Sequence, residues 1–157
     1  MRKIWLFTDG SVNTKSKIGY GAYLAVTDHE TPLEKLKSQV KIKRFESTSS
    51  TKLEIQTLLW AITENSVFTR KLVIYTDSQN IIGLPFRRAK LEQNSYYSKN
   101  NKPIKNHIEY KEFYKLIDLL DFDLIKLSGH KVSKQKDYID ILFSIVDRAS
   151  RYALRNE

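Results

Sequence analysis

Two stretches of this chain share one pattern: a β-branched and aromatic run that breaks off at Thr-Asp. Residues 2–8 lead into Thr8-Asp9-Gly10-Ser11, and KLVIYTD at 71–77 leads into Ser78. Runs that are apolar throughout suit strands covered on both faces. In open α/β sheets the carboxyl ends of neighbouring strands are where sites assemble. The remaining sequence supplies the layers such a sheet needs. YGAYLAVT at 20–27 resumes an extended pattern after the turn-like SVNTKSKIG, and QVKIKRFE at 39–46 alternates with Val40, Ile42 and Phe45 on its apolar side. Three strands with short links predict an antiparallel meander. From Thr51 onward Leu53, Leu58, Leu59 and Ile62 recur near helical spacing behind a Ser/Thr cluster that can provide an N-cap. After the 71–77 strand, Ser78 is expected to cap a short helix through Leu84 that Pro85 ends. HIEYKEFYKLIDLL at 107–120 reads as a helix, DLIKLS at 123–128 as a strand, and about Lys136 to Arg155 as a last helix. That helix carries Tyr138, Ile141, Leu142, Ile145, Ala149 and Tyr152 as its apolar stripe. The order predicts an α/β fold with a five-stranded mixed sheet, three antiparallel strands followed by parallel ones, and helices on both faces.

Bulk properties narrow the class. The 157 residues, 41% of them hydrophobic, suffice for one core, and five glycines and three prolines leave no room for a linker, so one domain over 1–157 is expected. No run approaches the ~18 apolar residues of a membrane span, and the N-terminus lacks a signal-peptide core. With no cysteine, the chain has neither a disulfide framework nor a thiolate metal site. A soluble cytoplasmic monomer with no membrane partner is expected. The 27 Lys and Arg against 18 Asp and Glu give a net charge of +9, which favours a polyanionic partner. The excess peaks in a basic segment at about 86–106, where Arg87, Arg88, Lys90, Lys99, Lys102 and Lys105 are interleaved with Tyr96 and Tyr97; Tyr110 and Lys111 follow. Rings among cations can stack on bases or sugars.

Asp9 and Asp77 end strands, and Glu54 sits in the first turn of the first helix. Singly, each has a bland use, as a turn residue or as a carboxylate complementing the helix dipole. Brought together, they would repel and raise one another's pKa, an arrangement that makes sense chiefly around a divalent cation; hard oxygen donors suit magnesium or manganese.

FTDGSVN with GYGAYL after it, TKLE opening a helix, IYTDSQ ending a strand, and SGH followed by VDRASRYAL together resemble the type 1 ribonuclease H family. NKPIKN at 101–106 is similar to the stretch that joins that family's basic protrusion to the next helix. The resemblance implies an RNase H-like fold and a metal-dependent endonuclease. Such an enzyme hydrolyses the RNA strand of an RNA/DNA hybrid with two Mg2+ ions, Mn2+ being an alternative, and leaves a 5′-phosphate and a 3′-hydroxyl. By position, Asp9, Glu54 and Asp77 match the first three metal-binding acids. Two residues compete for the fourth place: the local sequence favours Asp147, and spacing from His130 favours Asp140. Seven residues apart on one helix face, they are ~10 Å from each other, so only one can reach the metals. We take Asp147. His130 matches a residue that shuttles a proton near the leaving group or aids product release. The first strand is expected to stop at Thr8-Asp9, with Gly10 and Ser11 leaving the backbone open to substrate. Gly10, Ser50, Thr51 and Gln79 match positions that contact 2′-hydroxyls, and Arg87, Arg88, Lys99 and Lys102 are expected to hold phosphates of the other strand. Ser50-Thr51 stands where the family has paired Asn, and VNTKSKI where it has a glycine-rich turn. Three further readings compete: a nucleic-acid binder of this fold without turnover, a DNA-directed nuclease of the same superfold, and a structural domain.

Overall fold

Strand pairing follows the apolar runs. A computed structural model describes residues 3–66, 71–128 and 137–157. β1 (Lys3–Asn13), β2 (Ile18–Val26), β3 (Lys41–Phe45), β4 (Lys71–Thr76) and β5 (Phe122–Lys126) form one sheet in the order β3-β2-β1-β4-β5. The β1–β2 and β2–β3 pairs are antiparallel, and β4 runs parallel to both β1 and β5. Because side chains alternate along a strand, Ile4 and Leu6 of β1 and Leu72 and Ile74 of β4 face one core, while Phe7, Val73 and Tyr75 face the other. The first core is closed by α2 (Ser50–Asn65), α3 (Gln79–Gln93) and α4 (His107–Leu119). The second is closed by α1 (Leu33–Gln39) and α5 (Tyr138–Arg155). The five-stranded mixed sheet with helices on both faces is therefore as the sequence implies.

Several boundaries differ from expectation for identifiable reasons. β1 does not stop at Asp9. Its pairing with β4 ends at Phe7↔Tyr75, but its pairing with β2 continues through Asp9↔Ala22 and Gly10↔Gly21 to Asn13↔Ile18. Loss of one neighbour left the other ladder intact, and the turn shrinks to Thr14–Lys17. There Asn13 Oδ1 accepts from the Lys15 and Ser16 amides, and Lys17 takes a φ of 60°. The link between β2 and β3 contains α1, a seven-residue helix following Pro32 and held by buried Leu36; it is too short for a helical period to show in the sequence. α3 runs on through Pro85 to Gln93. Proline cannot donate the bond that Ile81 O would accept. Burial of Ile81 and Leu84, and a bond from Tyr114 Oη to Leu84 O at 2.6 Å, keep the helix on the core regardless. On α5 the packed residues are Leu142, Phe143, Ile145 and Val146, whereas Ile141 and Tyr152 are exposed, so the buried face is rotated relative to the expected stripe.

Candidate active site

α2 approaches the sheet over a floor of three glycines. A Cβ on Gly10 or Gly19 would lie 2.8 Å from Leu53 Cδ2, and one on Gly21 would lie 2.2 Å from Thr57 Oγ1. The space at Gly10 is thus taken by α2 rather than left open toward solvent. Strand periodicity explains the pattern: Gly19 and Gly21 are two apart on β2, and Gly10 pairs with Gly21, so all three present the same face. This close approach sets the depth of Glu54, one residue after Leu53. The GYG spacing could have revealed it, yet the sequence reading assigned Gly19 and Gly21 no role.

Asp9 lies on the opposite face of β1, toward α5, just past the point where β4 pairing ends. Burial pushes its carboxyl up to about 8; a hydrogen bond with the Asp147 side chain and the charges of Asp77 and Asp147 push the same way, against the Gly10 amide. The bond between Asp9 and Asp147 ties β1 to α5 through the two carboxyl groups. Asp147 in turn lies 3.1 Å from Arg151 Nε one turn along α5. Asp77 follows the last residue of β4 and opposes ionisation of both Asp9 and Glu54. Glu54 is half-buried, and burial raises its pKa; the Ser78 hydroxyl, which donates to Glu54 Oε2, pulls it back, and Asp77 raises it further.

The structure separates the two contenders for the fourth acid. Asp140 is the third residue of a capping box: its amide donates to Asp137 Oδ1 at 2.9 Å, and its carboxylate accepts from the Asp137 amide at 3.3 Å. It is buried at the start of α5, a position fitted to helix initiation. Asp147 is the one hydrogen-bonded to Asp9. His130 lies outside the described residues.

The substrate candidates divide. Thr51 lines a groove of about 610 Å3 together with Ser49, Asn80, Arg87, Lys105 and Tyr110. Arg87 reaches over it, its Nη2 bonded to Asn80 Oδ1 at 2.8 Å and Asn80 O at 3.2 Å. A second hollow of about 440 Å3, bounded by Arg87, Lys90, Tyr97 and Lys99, continues from the first. Ser50 is exposed at the start of α2, and Lys102 is exposed beside Pro103. Arg88, by contrast, is spoken for: it binds both carboxylate oxygens of Asp118 at 2.7 Å and Glu92 at 2.6 Å. Tyr96 and Tyr110 are core residues, so of the three tyrosines near the basic segment only Tyr97 is exposed. Gln79 accepts from Lys126 Nζ at 2.6 Å, and Ser11 Oγ lies 2.9 Å from Ser150 Oγ, tying β1 to α5 beside the acids. Ser150 lies within VDRASRYAL and Lys126 within the DLIKLS strand, but neither had a role of its own in the sequence.

Residues 1–144 match the RNase H family. The chain belongs to the RNase H family. It is a ribonuclease H-type hydrolase, from a family whose members act on RNA/DNA hybrids and generally use divalent metal ions. The match stops short of Asp147, so that residue's place in this RNase H rests on its contact with Asp9. In fold the protein is similar to the PFV RNase H domain, with a TM-score of 0.75 at 15% identity over 96% of this chain and 93% of that one. It is also similar to the foamy viral protease-reverse transcriptase solved in complex with dsDNA, with a TM-score of 0.62 at 10% identity over 95% and 93%. No curated protein sequence matches it significantly.

The donor set of this RNase H fits a hard divalent cation by its chemistry. Asp9, Glu54, Asp77 and Asp147 offer only carboxylate oxygens, the hard donors that magnesium and manganese take, and burial together with the neighbouring acids raises the Asp9 pKa. Among the described residues, no three acidic or imidazole groups form a ready-made cation cage.

Proposed function

We propose that this RNase H is an endonuclease that cleaves the RNA strand of RNA/DNA hybrids at a site of two Mg2+ ions, with Mn2+ as substitute, and leaves 5′-phosphate and 3′-hydroxyl ends. The observation that supports this most is the convergence of Asp9 with Asp147, to which it is hydrogen-bonded, and with Asp77, whose charge adds to burial in raising the Asp9 pKa. Asp9, Glu54, Asp77 and Asp147 would hold the ions. When bound, such ions lower the pKa of the attacking water and offset charge on the departing oxygen. The chain's own residues do the rest. Arg151 keeps the Asp147 carboxylate turned along α5. Ser11, Ser50, Thr51 and Gln79 offer side-chain donors and acceptors near the acids, which distinguishing RNA from DNA by its 2′-hydroxyl requires. Arg87, Lys99, Lys102 and Lys105 take phosphates of the other strand, giving binding that weakens with salt and reads little sequence. His130 is the candidate for moving a proton at the leaving oxygen.

One experiment decides. End-labelled RNA/DNA hybrid, double-stranded RNA and double-stranded DNA are incubated with the protein and with Asp9→Asn, with and without Mg2+. Cutting of the hybrid RNA alone, dependent on Mg2+ and lost in the variant, is expected. Binding without cutting in either Mg2+ or Mn2+ would refute the nuclease.

A further inference from the structure

Ser78 is a junction between parts of the fold that are distant in sequence. It is buried, 6% exposed, in the link between β4 and α3. Its amide donates to Thr76 Oγ1 at 3.1 Å and its carbonyl accepts from the Ile82 amide at 3.2 Å. Its hydroxyl accepts from the Ile81 amide at 3.2 Å, which caps α3, and donates to Glu54 Oε2, 24 residues earlier on α2. A serine hydroxyl has one proton to give. With the Ile81 amide occupying a lone pair, that proton is directed at the carboxylate.

We propose that Ser78 is a positioning residue for Glu54: its hydroxyl holds one carboxylate oxygen of Glu54 at the β4–α3 junction and leaves the other, Oε1, for a divalent cation. The assignment rests on the nuclease reading above for the cation, and on the hydrogen bonds alone for the hold on Glu54. The hold has something to oppose. Asp77, the residue beside Ser78, repels the Glu54 carboxylate, and the Glu side chain has several rotatable bonds with which to swing into solvent. Among the described residues Oε1 has no donor, so the carboxylate is fixed at one end only. The same hydroxyl caps α3, whose Asn80 and Arg87 line the groove. Ser78 therefore sets Glu54 and the start of a groove-lining helix from a single point.

Capping and holding separate by substitution. Glycine is accepted at an N-cap with little loss relative to serine, but it has no hydroxyl; threonine keeps both abilities; alanine keeps neither. Mn2+ binding by the full chain without nucleic acid is measured by calorimetry for the wild type, Ser78→Gly, Ser78→Thr and Ser78→Ala, alongside thermal melts. Partners that orient a metal ligand are typically worth about 10–100-fold in metal affinity. Ser78→Gly is expected to lose affinity by that factor with a melt near that of the wild type. Ser78→Thr should retain affinity, and Ser78→Ala should lose both affinity and melting temperature. Affinity of Ser78→Gly within twofold of wild type, or a loss in Ser78→Thr as large as in Ser78→Gly, would overturn the proposal. If the wild type binds no Mn2+, the nuclease reading fails. The hold on Glu54 is then read from its carboxyl carbon resonance in metal-free protein at one fixed pH. A shift in Ser78→Gly that is absent in Ser78→Thr supports the hold, and unchanged resonances in both overturn it.

Discussion

Replacing Gly21 with alanine would put a methyl group 2.2 Å from Thr57 Oγ1, 2.9 Å from its Cγ2 and 3.0 Å from its Cβ. Turning the threonine about χ1 relieves little, because its Cβ does not move and one of its branches stays against the strand. The strand cannot yield, since Gly21 is paired on both sides, with Gly10 and with Lys43. α2 must therefore lift. Overpacking of this kind costs about 1–3 kcal/mol, and each kcal/mol lowers the melting temperature of a chain this size by about 2–4 °C. The lift displaces Glu54, one turn earlier on the same helix, and a shift of about 1 Å at a reacting centre can cost on the order of a hundredfold in rate. Thr57→Ala provides the control. It removes a buried methyl worth about 0.8 kcal/mol. It also removes an Oγ1 with no hydrogen-bond partner among the described residues, whose burial costs about 1–3 kcal/mol, so alone it should be neutral to stabilising by up to about 2 kcal/mol. Combined with Gly21→Ala it clears Oγ1 and Cγ2 from the new methyl. Urea titrations and hybrid-cleavage rates of the two single variants and the double variant form a cycle, with an expected coupling of at least about 1 kcal/mol. Additive losses, or a Gly21→Ala protein as stable as wild type, would show that α2 does not rest on the glycine floor.

Three further outcomes are expected. Asp9 has its folded pKa raised from 3.8 to about 8, so its contribution to the stability of the metal-free protein is full below about pH 4 and is lost as pH rises toward 8. With ~1.4 kcal/mol per pKa unit reduced by solvent reaching a half-buried group, Asp9→Asn should gain on the order of 2 kcal/mol at pH 8 in chelator while cleavage disappears; melts of both proteins at pH 4 and pH 8 test this, and equal pH slopes would refute it. Asp147→Asn should abolish cleavage with a small effect on folding, whereas Asp140→Asn should retain cleavage and weaken the α5 cap by about 1 kcal/mol; single-turnover rates and melts tell them apart, and the reverse pattern would restore Asp140 as the fourth acid. Arg87→Gln should weaken hybrid binding and reduce the salt slope by about 0.9, while Arg88→Gln, its guanidinium already held by Asp118 and Glu92, should leave the slope unchanged and lower stability; anisotropy titrations across salt concentrations separate the two.

The strands ending in Thr-Asp, the helix carrying Glu54 and the amphipathic last helix were legible because each rests on a local period or a turn residue. What stayed hidden depended on distant neighbours. Whether β1 ends at Asp9 is decided by β2, which continues beside it after β4 has stopped, and nothing within FTDGS encodes that. Pro85 is a sound stop signal by itself, but the core contacts of Ile81 and Leu84 and the reach of Tyr114 carry the helix past it. Arg87 and Arg88 are indistinguishable as adjacent cations; one turns toward the groove and the other toward Asp118, 30 residues away. Asp140 and Asp147 were separable only when the phase of α5 against β1 was known, since both satisfy the same helical face.

The unequal lengths of the two ladders on β1 have a consequence for how this protein can vary. Beyond Phe7 the β1–β2 hairpin extends by six more residues of β1, roughly 20 Å at ~3.3 Å each, as a ledge flanked by α5 and overhanging the end of β4. Its tip is tied to the segment before α2, because the Thr48 amide donates to Lys17 O at 3.0 Å, so a change of length must keep that bond. The side-chain period of two restricts the increments. Adding or removing a matched pair on each arm keeps Ser11 toward Ser150 and the glycines toward α2, whereas a single-residue insertion between Asn13 and Asp9 would exchange the two faces. The hairpin thus acts as an adjustable reach, graduated in steps of two residues.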